Sequence, residues 1–145
     1  MNVAAILKAK GSDVVTIHPE QTMADAVRLF GAHNVGALVV SADERAVDGL
    51  VSERDIVRFV SGPAAIDFDL TVRKVATAAP PVCDPGDHIE SVMAVMTNER
   101  FRHLPVVSGG SLQGIISIGD VVKWRLTELE NANNQLETYI TGVPH

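Results

Sequence analysis

The 145-residue sequence predicts an α/β fold of the α+β kind: two β-α-β-β-α units, the second ending in a long C-terminal helix. Three observations carry this expectation. First, the chain repeats itself. With Pro19 set on Pro85, an offset of 66, Leu38 falls on Leu104 and Val40 on Val106; after the next turn the offset is 65, and Gly49, Ser52, Asp55 and Val57 fall on Gly114, Ser117, Asp120 and Val122. Second, each copy alternates short β-rich apolar segments with amphipathic helical stretches. Third, 46% hydrophobic and 21% charged residues make the composition that of a globular protein and argue against disorder. A domain of this size buries roughly two-thirds of its surface. Half of it would have a marginal core, so the two copies are expected to pack together.

Val3, Ile6 and Leu7 lie at helical spacing and form an N-terminal helix able to dock on the other copy. Val14-Val15-Thr16-Ile17 opens the first unit as a strand, and a Pro turn follows. Thr22 with Asp25 caps a helix whose apolar residues Met23, Ala26, Val27 and Phe30 share one face. Strands Ala37–Val40 and Gly49–Val51 flank the loop SADERAVDG as a hairpin, and a helix opens at Ser52. The segment SGPAAIDFDLTVRK breaks at its Gly-Pro and holds a short helix at Thr71–Val75. The second unit repeats the order. Pro81-Val82-Cys83 comes first, then a cap from Asp87 and Glu90, then a helix with Ile89, Val92, Met93 and Met96 inward. Strands Leu104–Val107 and Gly114–Ile116 follow around SGGSLQG, with a helix from Ser117. The expected divisions are 1–62 (first repeat with the N-terminal helix), 63–80 (linker and short helix) and 81–145 (second repeat with the extended helix). Cys83 aligns with Ile17 and Trp124 with Phe59, all as packing residues. In the last helix, Val122, Leu126, Leu129, Leu136 and Ile140 form a heptad-like stripe interrupted at Asn133. The stripe either covers its own unit or joins two copies, with Asn133 setting register.

Several function classes are disfavoured. A net charge of −6 argues against wholesale nucleic-acid binding. A single cysteine excludes an intramolecular disulfide and a multi-Cys zinc site. No apolar run approaches the ~20 residues of a membrane span. The start, MNVAAILKAK, lacks the pattern of a secretory signal, so the expected location is cytoplasmic. His18, His33, His88 and His145 show no ligand-like pairing. No G-x-S-x-G, P-loop, GxGxxG or HExxH motif is present, which argues against an enzyme.

Both copies carry Gly-x-x-Ser-x-x-Asp at a strand-to-helix junction: Gly49, Ser52, Asp55 and Gly114, Ser117, Asp120. One reading is a helix cap that serves stability alone. The other is a nucleotide site. A helix N-terminus presents free N–H groups to an anion, and a carboxylate beside it accepts hydrogen bonds from a ribose diol. The two readings are compatible. Arg102 and His103 precede a buried strand, where a guanidinium holds phosphate bidentately and an imidazole adds a further contact. Either role competes with plain surface placement. Arg54 begins a helix against the dipole, an objection that a nearby anion or plain exposure removes.

The repeat, the paired motifs and the Arg-His-Leu-Pro-Val-Val segment resemble a tandem CBS domain pair, or Bateman module, from about Asp13 to Arg125. SERD in the first copy and SIGD before the long helix look closest to small stand-alone bacterial members. The resemblance implies units packed sheet to sheet with two clefts between them. It implies a non-catalytic regulatory module that binds AMP, ADP, ATP, NAD(H) or S-adenosylmethionine, in a flat homodimer. Carried over by motif, Asp55 and Asp120 bind ribose, and Ser52 and Ser117 sit beside sugar and phosphate. Arg102 and His103 face phosphates, with Arg54 a further candidate. Backbone near Thr16 and Val82 holds the adenine edge, and Ala37 lies under the base. The first copy has Gly36-Ala37 where the second has Arg102-His103, so its cleft is expected to lack that cation pair. Lys10 either reaches a phosphate or is solvated. Two rival functions stand beside this one: an adaptor that dimerises without a physiological nucleotide, and a nucleotide-hydrolysing enzyme built on His103 with Asp120 or Ser117.

Overall fold

The computed structural model describes residues 1–141. The last four residues of the expected second unit, His145 among them, lie outside it. The fold is the mixed one expected. A four-stranded sheet runs in the order β1 (Thr16–Ile17), β2 (Ala37–Val40), β3 (Gly49–Ser52), β4 (Thr77–Ala78). A second sheet pairs β5 (His103–Ser108) with β6 (Ser111–Ser117). Five helices surround them: α1 (Val3–Lys10), α2 (Met23–His33), α3 (Glu53–Ser61), α4 (Ile89–Glu99) and α5 (Ile118–Thr141). A short 3₁₀ turn, Val72–Lys74, stands where the short helix was expected.

The repeat seen in sequence is a repeat in hydrogen bonding. Ile17 pairs in parallel with Val40, and Cys83 makes a parallel bridge to Val106, the second pair 66 residues after the first. Ala37 faces Ser52 across β2–β3 as His103 faces Ser117 across β5–β6. The strand expected at Pro81–Cys83 shrinks to that one bridge. β6 starts at Ser111, earlier than expected, because Gly109 and Gly110 (φ 57° and 77°) close the hairpin in two residues. A bulge at Val106/Val107 absorbs the register change.

The cap expected from Asp87 and Glu90 is not formed. Helix α4 takes His88 as its N-cap, with no side-chain capping bond. Asp87 therefore sits outside the helix, and its carboxylate accepts the Asp84 amide at 2.9 Å instead. Helix α2 does carry the expected box. Thr22 accepts from the Asp25 amide, and the Asp25 carboxylate accepts from the Thr22 amide.

Each unit is completed by the chain segment that precedes the other. Val3 and Ile6 of α1 are fully buried in the core of the second unit, with Ile89, Val92, Leu104, Val106 and Ile116. The first-turn amides of α1 donate to second-unit carbonyls, Val3 to Asp87 and Ala4 to Pro85. Val72, 66 residues after Ile6, is fully buried in the first core with Ile17, Met23, Leu38 and Val51. Reciprocally, the Met23 amide donates to Leu70 O and the Ile89 amide to Met1 O. These bonds satisfy helix-start donors that have no partner within the helix.

Sheet packs on sheet between the units. All four residues of β2 are buried because both faces are covered. Leu38 and Val40 face their own core, while Ala37 and Val39 meet Phe101, Leu112 and Ile115 of the second unit. The third core cluster is this interface.

Candidate functional site

Both Gly-x-x-Ser-x-x-Asp motifs turn from strand into helix with the cap in place. At the first, Ser52 N and Ser52 Oγ both donate to Asp55 Oδ2, at 2.8 and 3.1 Å, and Asp55 N donates to Ser52 Oγ at 3.3 Å. At the second, Ser117 N donates to Asp120 Oδ2 at 2.9 Å and Asp120 N to Ser117 Oγ at 3.1 Å. The capping reading is therefore realised in each copy. Among the described residues, Asp55 Oδ1 takes part in no hydrogen bond and in one ion pair, with Arg58 at 4.0 Å.

The two motifs differ in what surrounds them. A cavity of about 660 Å³ opens beside the first, within the range of small-ligand sites. It is lined by Ser52, Glu53, Arg54, Asp55 and Arg58 at the start of α3, and by Glu99, Arg100, Phe101, Arg102 and His103 at the entry to β5. Leu50, Val57 and Thr77 supply further wall. One wall thus comes from each unit, and the sheet-to-sheet packing brings them together. Ser52, Arg54, Asp55, Arg102 and His103, five of the residues singled out by sequence, meet here.

This arrangement corrects one expectation. Arg102 and His103 were assigned to the second cleft, leaving the first without a cation pair. They line the cavity of the first motif. The physical reason is that β5 faces the opposite unit. Gly36, the residue aligned with Arg102, makes this possible: a Cβ there would lie 2.8 Å from His103 Nε2. The small residue that seemed to weaken the first cleft is what lets His103 into it.

Ser117 and Asp120 do not line this cavity. Lys10 is exposed but engaged: its Nζ donates to Asp120 Oδ2 at 2.6 Å and to Ile115 O at 2.9 Å. Burial works against the Asp120 carboxylate, but the bonds from Lys10 and the Ser117 amide outweigh it and hold its pKa below the usual value. Thr16, Ala37 and Val82 are likewise outside the lining. Thr16 pairs with Val39, Ala37 is 6% exposed in the unit interface, and Val82 is exposed beside Cys83. His103 has its pKa lowered, first by burial and then by the charge of Lys10; Asp120 and Glu53 pull the other way without prevailing. The shift favours the neutral imidazole. Cys83 is buried and its thiol is pushed up to about 12 by burial and by Asp87 and Asp84, as befits a packing residue.

Sequence reasoning missed Arg58 and Arg100. Arg58 lies four residues after Arg54, so the two share a helix face, and that spacing was visible. Arg100 aligns with Asn34, and no repeat-based signal marks it. Among the described residues, the side chains of Arg54, Arg100 and Arg102 have no ion pair.

The sequence profile of the CBS domain matches residues 8–62 and 72–127. The chain belongs to the CBS-domain family. A CBS-domain-containing protein from Agrobacterium tumefaciens has the same fold, with a TM-score of 0.81 and 40% identity over 86% of this chain and 99% of that one. A mitochondrial CBS domain-containing protein of Arabidopsis thaliana is 30% identical over 97% of this chain and 72% of its own. A CBS domain protein from Pyrobaculum aerophilum, solved in complex with AMP, matches with a TM-score of 0.79 and 26% identity over 92% of this chain and 99% of its own. Some curated relatives are longer; this CBS pair spans 44% of an uncharacterized Methanocaldococcus jannaschii protein. Among the described residues, no helix is long and apolar enough to cross a membrane.

Proposed function

We propose that this CBS pair is a non-catalytic regulatory sensor that binds an adenosine-containing nucleotide in the cleft beside Asp55. The observation that carries the reading is the convergence, in one cavity, of a ribose-competent carboxylate, a helix N-terminus and guanidiniums without ion pairs. The Pyrobaculum relative complexed with AMP supports it. Asp55 Oδ1 would accept from the ribose, and the arginines would hold phosphate. A ligand bridging the two walls would favour one relative placement of the units, and a partner would read that shift. The Asp120 motif is the less available site, because Lys10 already lies on its carboxylate. The cytoplasm, where such nucleotides are at hand, is the compartment the reading implies.

The test is a thermal-shift panel with AMP, ADP, ATP, NAD⁺ and NADH on wild type, Asp55→Asn and Asp120→Asn, each compared with its own ligand-free midpoint. A ligand at 100 times its Kd adds about 2.7 kcal/mol, a shift of several degrees for a chain this size. One ligand should raise the wild-type midpoint, Asp55→Asn should lose most of the rise, and Asp120→Asn should keep it. A panel with no shift would leave the motifs as helix caps and favour the adaptor reading.

We also propose that two copies associate through α5. Val122, Leu126, Leu129, Leu136 and Ile140 are exposed along it. A groove of about 520 Å³ with Ile118, Val122 and Leu126 in its wall opens on the same helix. The 3-4 spacing of this stripe is that of a helix meeting a second helix like itself.

A further inference from the structure

We infer that two copies meet with their α5 helices antiparallel, crossing near Leu126 and Thr127, so that Lys123 of each copy pairs with Glu130 of the partner subunit. The inference rests on the association through α5 proposed above and adds its direction and its charged contacts.

The two halves of α5 differ. The first half packs on the second unit, where Val121 is fully buried and Trp124 lies against the same core. From Glu130 to Ile140, every residue except Thr138 is exposed. Leu136 and Ile140 are more than half exposed, so the apolar stripe continues past the body of its own unit. At the other end of the helix, Ile118, Gly119 and Val122 line the open groove. A Cβ at Gly119 would meet only Ser117 Oγ, at 3.6 Å, which leaves room there for an incoming side chain. Antiparallel helices with Leu126 opposite the partner's Leu129 bring the partner's Leu136 to Gly119. Each uncovered second half then lies on the groove of the other copy.

Charge decides the direction. At 3.6 residues per turn, Lys123, Glu130 and Glu137 fall on one flank of the stripe and Arg125 on the other. Lys123 and Glu130 line the groove, are exposed and, among the described residues, have no ion pair. Glu137 accepts from Asn133 Nδ2 at 3.3 Å. Arg125 is held by Glu90 and Glu128, at 3.3 Å each. Residues flanking an apolar seam set the orientation of paired helices. In an antiparallel pair like flanks meet, and Lys123 faces the partner's Glu130; the two-fold axis repeats the contact. In a parallel pair opposite flanks meet. Lys123 would then face the partner's Ile118, and Glu130 the partner's Arg125, a guanidinium already engaged. The antiparallel arrangement alone spends both open charges on each other.

Charge reversal and disulfide trapping in the full chain decide this. By sedimentation equilibrium, Lys123→Glu should weaken the dimer about tenfold or more, since two attractive contacts become repulsive. The double variant Lys123→Glu/Glu130→Lys should return to within about threefold of wild type, because the pair is restored with its signs exchanged. For trapping, Val122→Cys and Asn133→Cys are made separately; both positions lie on the stripe, about 16 Å apart along the helix. The antiparallel pair brings each to the other, so the mixed sample should form a disulfide-linked dimer and neither variant alone should. The native Cys83 is buried and stays out of the reaction. Either variant linking to itself would show parallel helices, because a disulfide needs Cα atoms within about 7 Å. That result, or a charge reversal without effect on the dimer, would overturn the inference and leave association through α5 standing. A wild type that sediments as a monomer would overturn both.

Discussion

Ile6→Ala tests the crossed completion of the two cores. Ile6 stands near the start of the chain, yet it is fully buried among second-unit residues. The substitution removes three carbons, about 2.4 kcal/mol at ~0.8 kcal/mol per buried methylene. A residual cavity adds to this, and Ile→Ala changes in cores fall at about 2–5 kcal/mol. We expect about 3 kcal/mol. Unfolding entropy of about 2.1 cal/mol/K per residue gives about 0.3 kcal/mol/K for 145 residues. The midpoint should therefore fall by about 10 °C. The location of the loss is the sharper readout. In native-state amide exchange, sub-global opening should lower protection at Leu104, Val106 and Ile116 of the second unit before it does so at Leu38 and Val51. Val72→Ala should show the mirror image, because Val72 is fully buried in the first core. An Ile6→Ala protein that loosens Leu38 and Val51 while the second unit holds would refute the crossed packing. A fall of less than about 3 °C would refute the core role of Ile6.

Two further outcomes follow from the geometry. His103 has a folded pKa below its unfolded value of about 6.5, so the unfolded chain takes the proton first; stability should be full above that pH and decline as pH drops toward the folded value. Urea unfolding at pH 7.5 and 5.5 should show the loss, His103→Gln should flatten it, and a variant as acid-sensitive as wild type would sink the assignment. The doubly substituted Leu129→Glu/Leu136→Glu protein should run at monomer mass by light scattering with its melting midpoint nearly unchanged, since both residues are more than half exposed in the single chain; an assembly of unaltered mass would remove α5 from the interface.

The parts of the fold legible in the sequence are those that short-range physics determines. The offset of 66, the Ser-x-x-Asp boxes and the helical stripes each report on neighbours within a few residues, and each reappears in the hydrogen bonding. The Asp87–Glu90 cap failed because a capping pattern states which residues are able to bond, not where the helix opens; the Asp84 amide won the competition for Asp87. The composition of the cleft was half legible. Ser52, Asp55, Arg102 and His103 stood out as residue types, but the sequence offered no reason to put the last two with the first two. That pairing is set by which face of β5 meets which unit, a contact between distant segments. Arg100 was hidden because nothing in the repeat marks it: its equivalent is Asn34, and both simply end a helix in the left-handed cap. Lys10 reached Asp120 only because α1 packs into the second unit.

The differences between the copies follow from how the copies face each other. Where two like units meet sheet to sheet, equivalent residues approach the same space from opposite sides. Gly36 touches the ring of His103, whose own equivalent is Ala37. Had both copies carried Arg-His, two guanidiniums and two imidazoles would crowd the contact now made by one ring and a hydrogen atom. A Cβ on Gly36 alone would come within 2.8 Å of His103 Nε2, well inside the 3.5–4.0 Å separation at which non-bonded heavy atoms attract. One copy has to be small for the other to carry the imidazole. The repeat is therefore kept where strands pair and helices cap, and broken at Gly36/Arg102, Ala37/His103 and Asn34/Arg100. The same requirement admits Arg102 and His103 to one cleft, while the packing of α1 into the second unit gives the other motif to Lys10. Unequal clefts are the packing consequence of two similar halves sharing one interface.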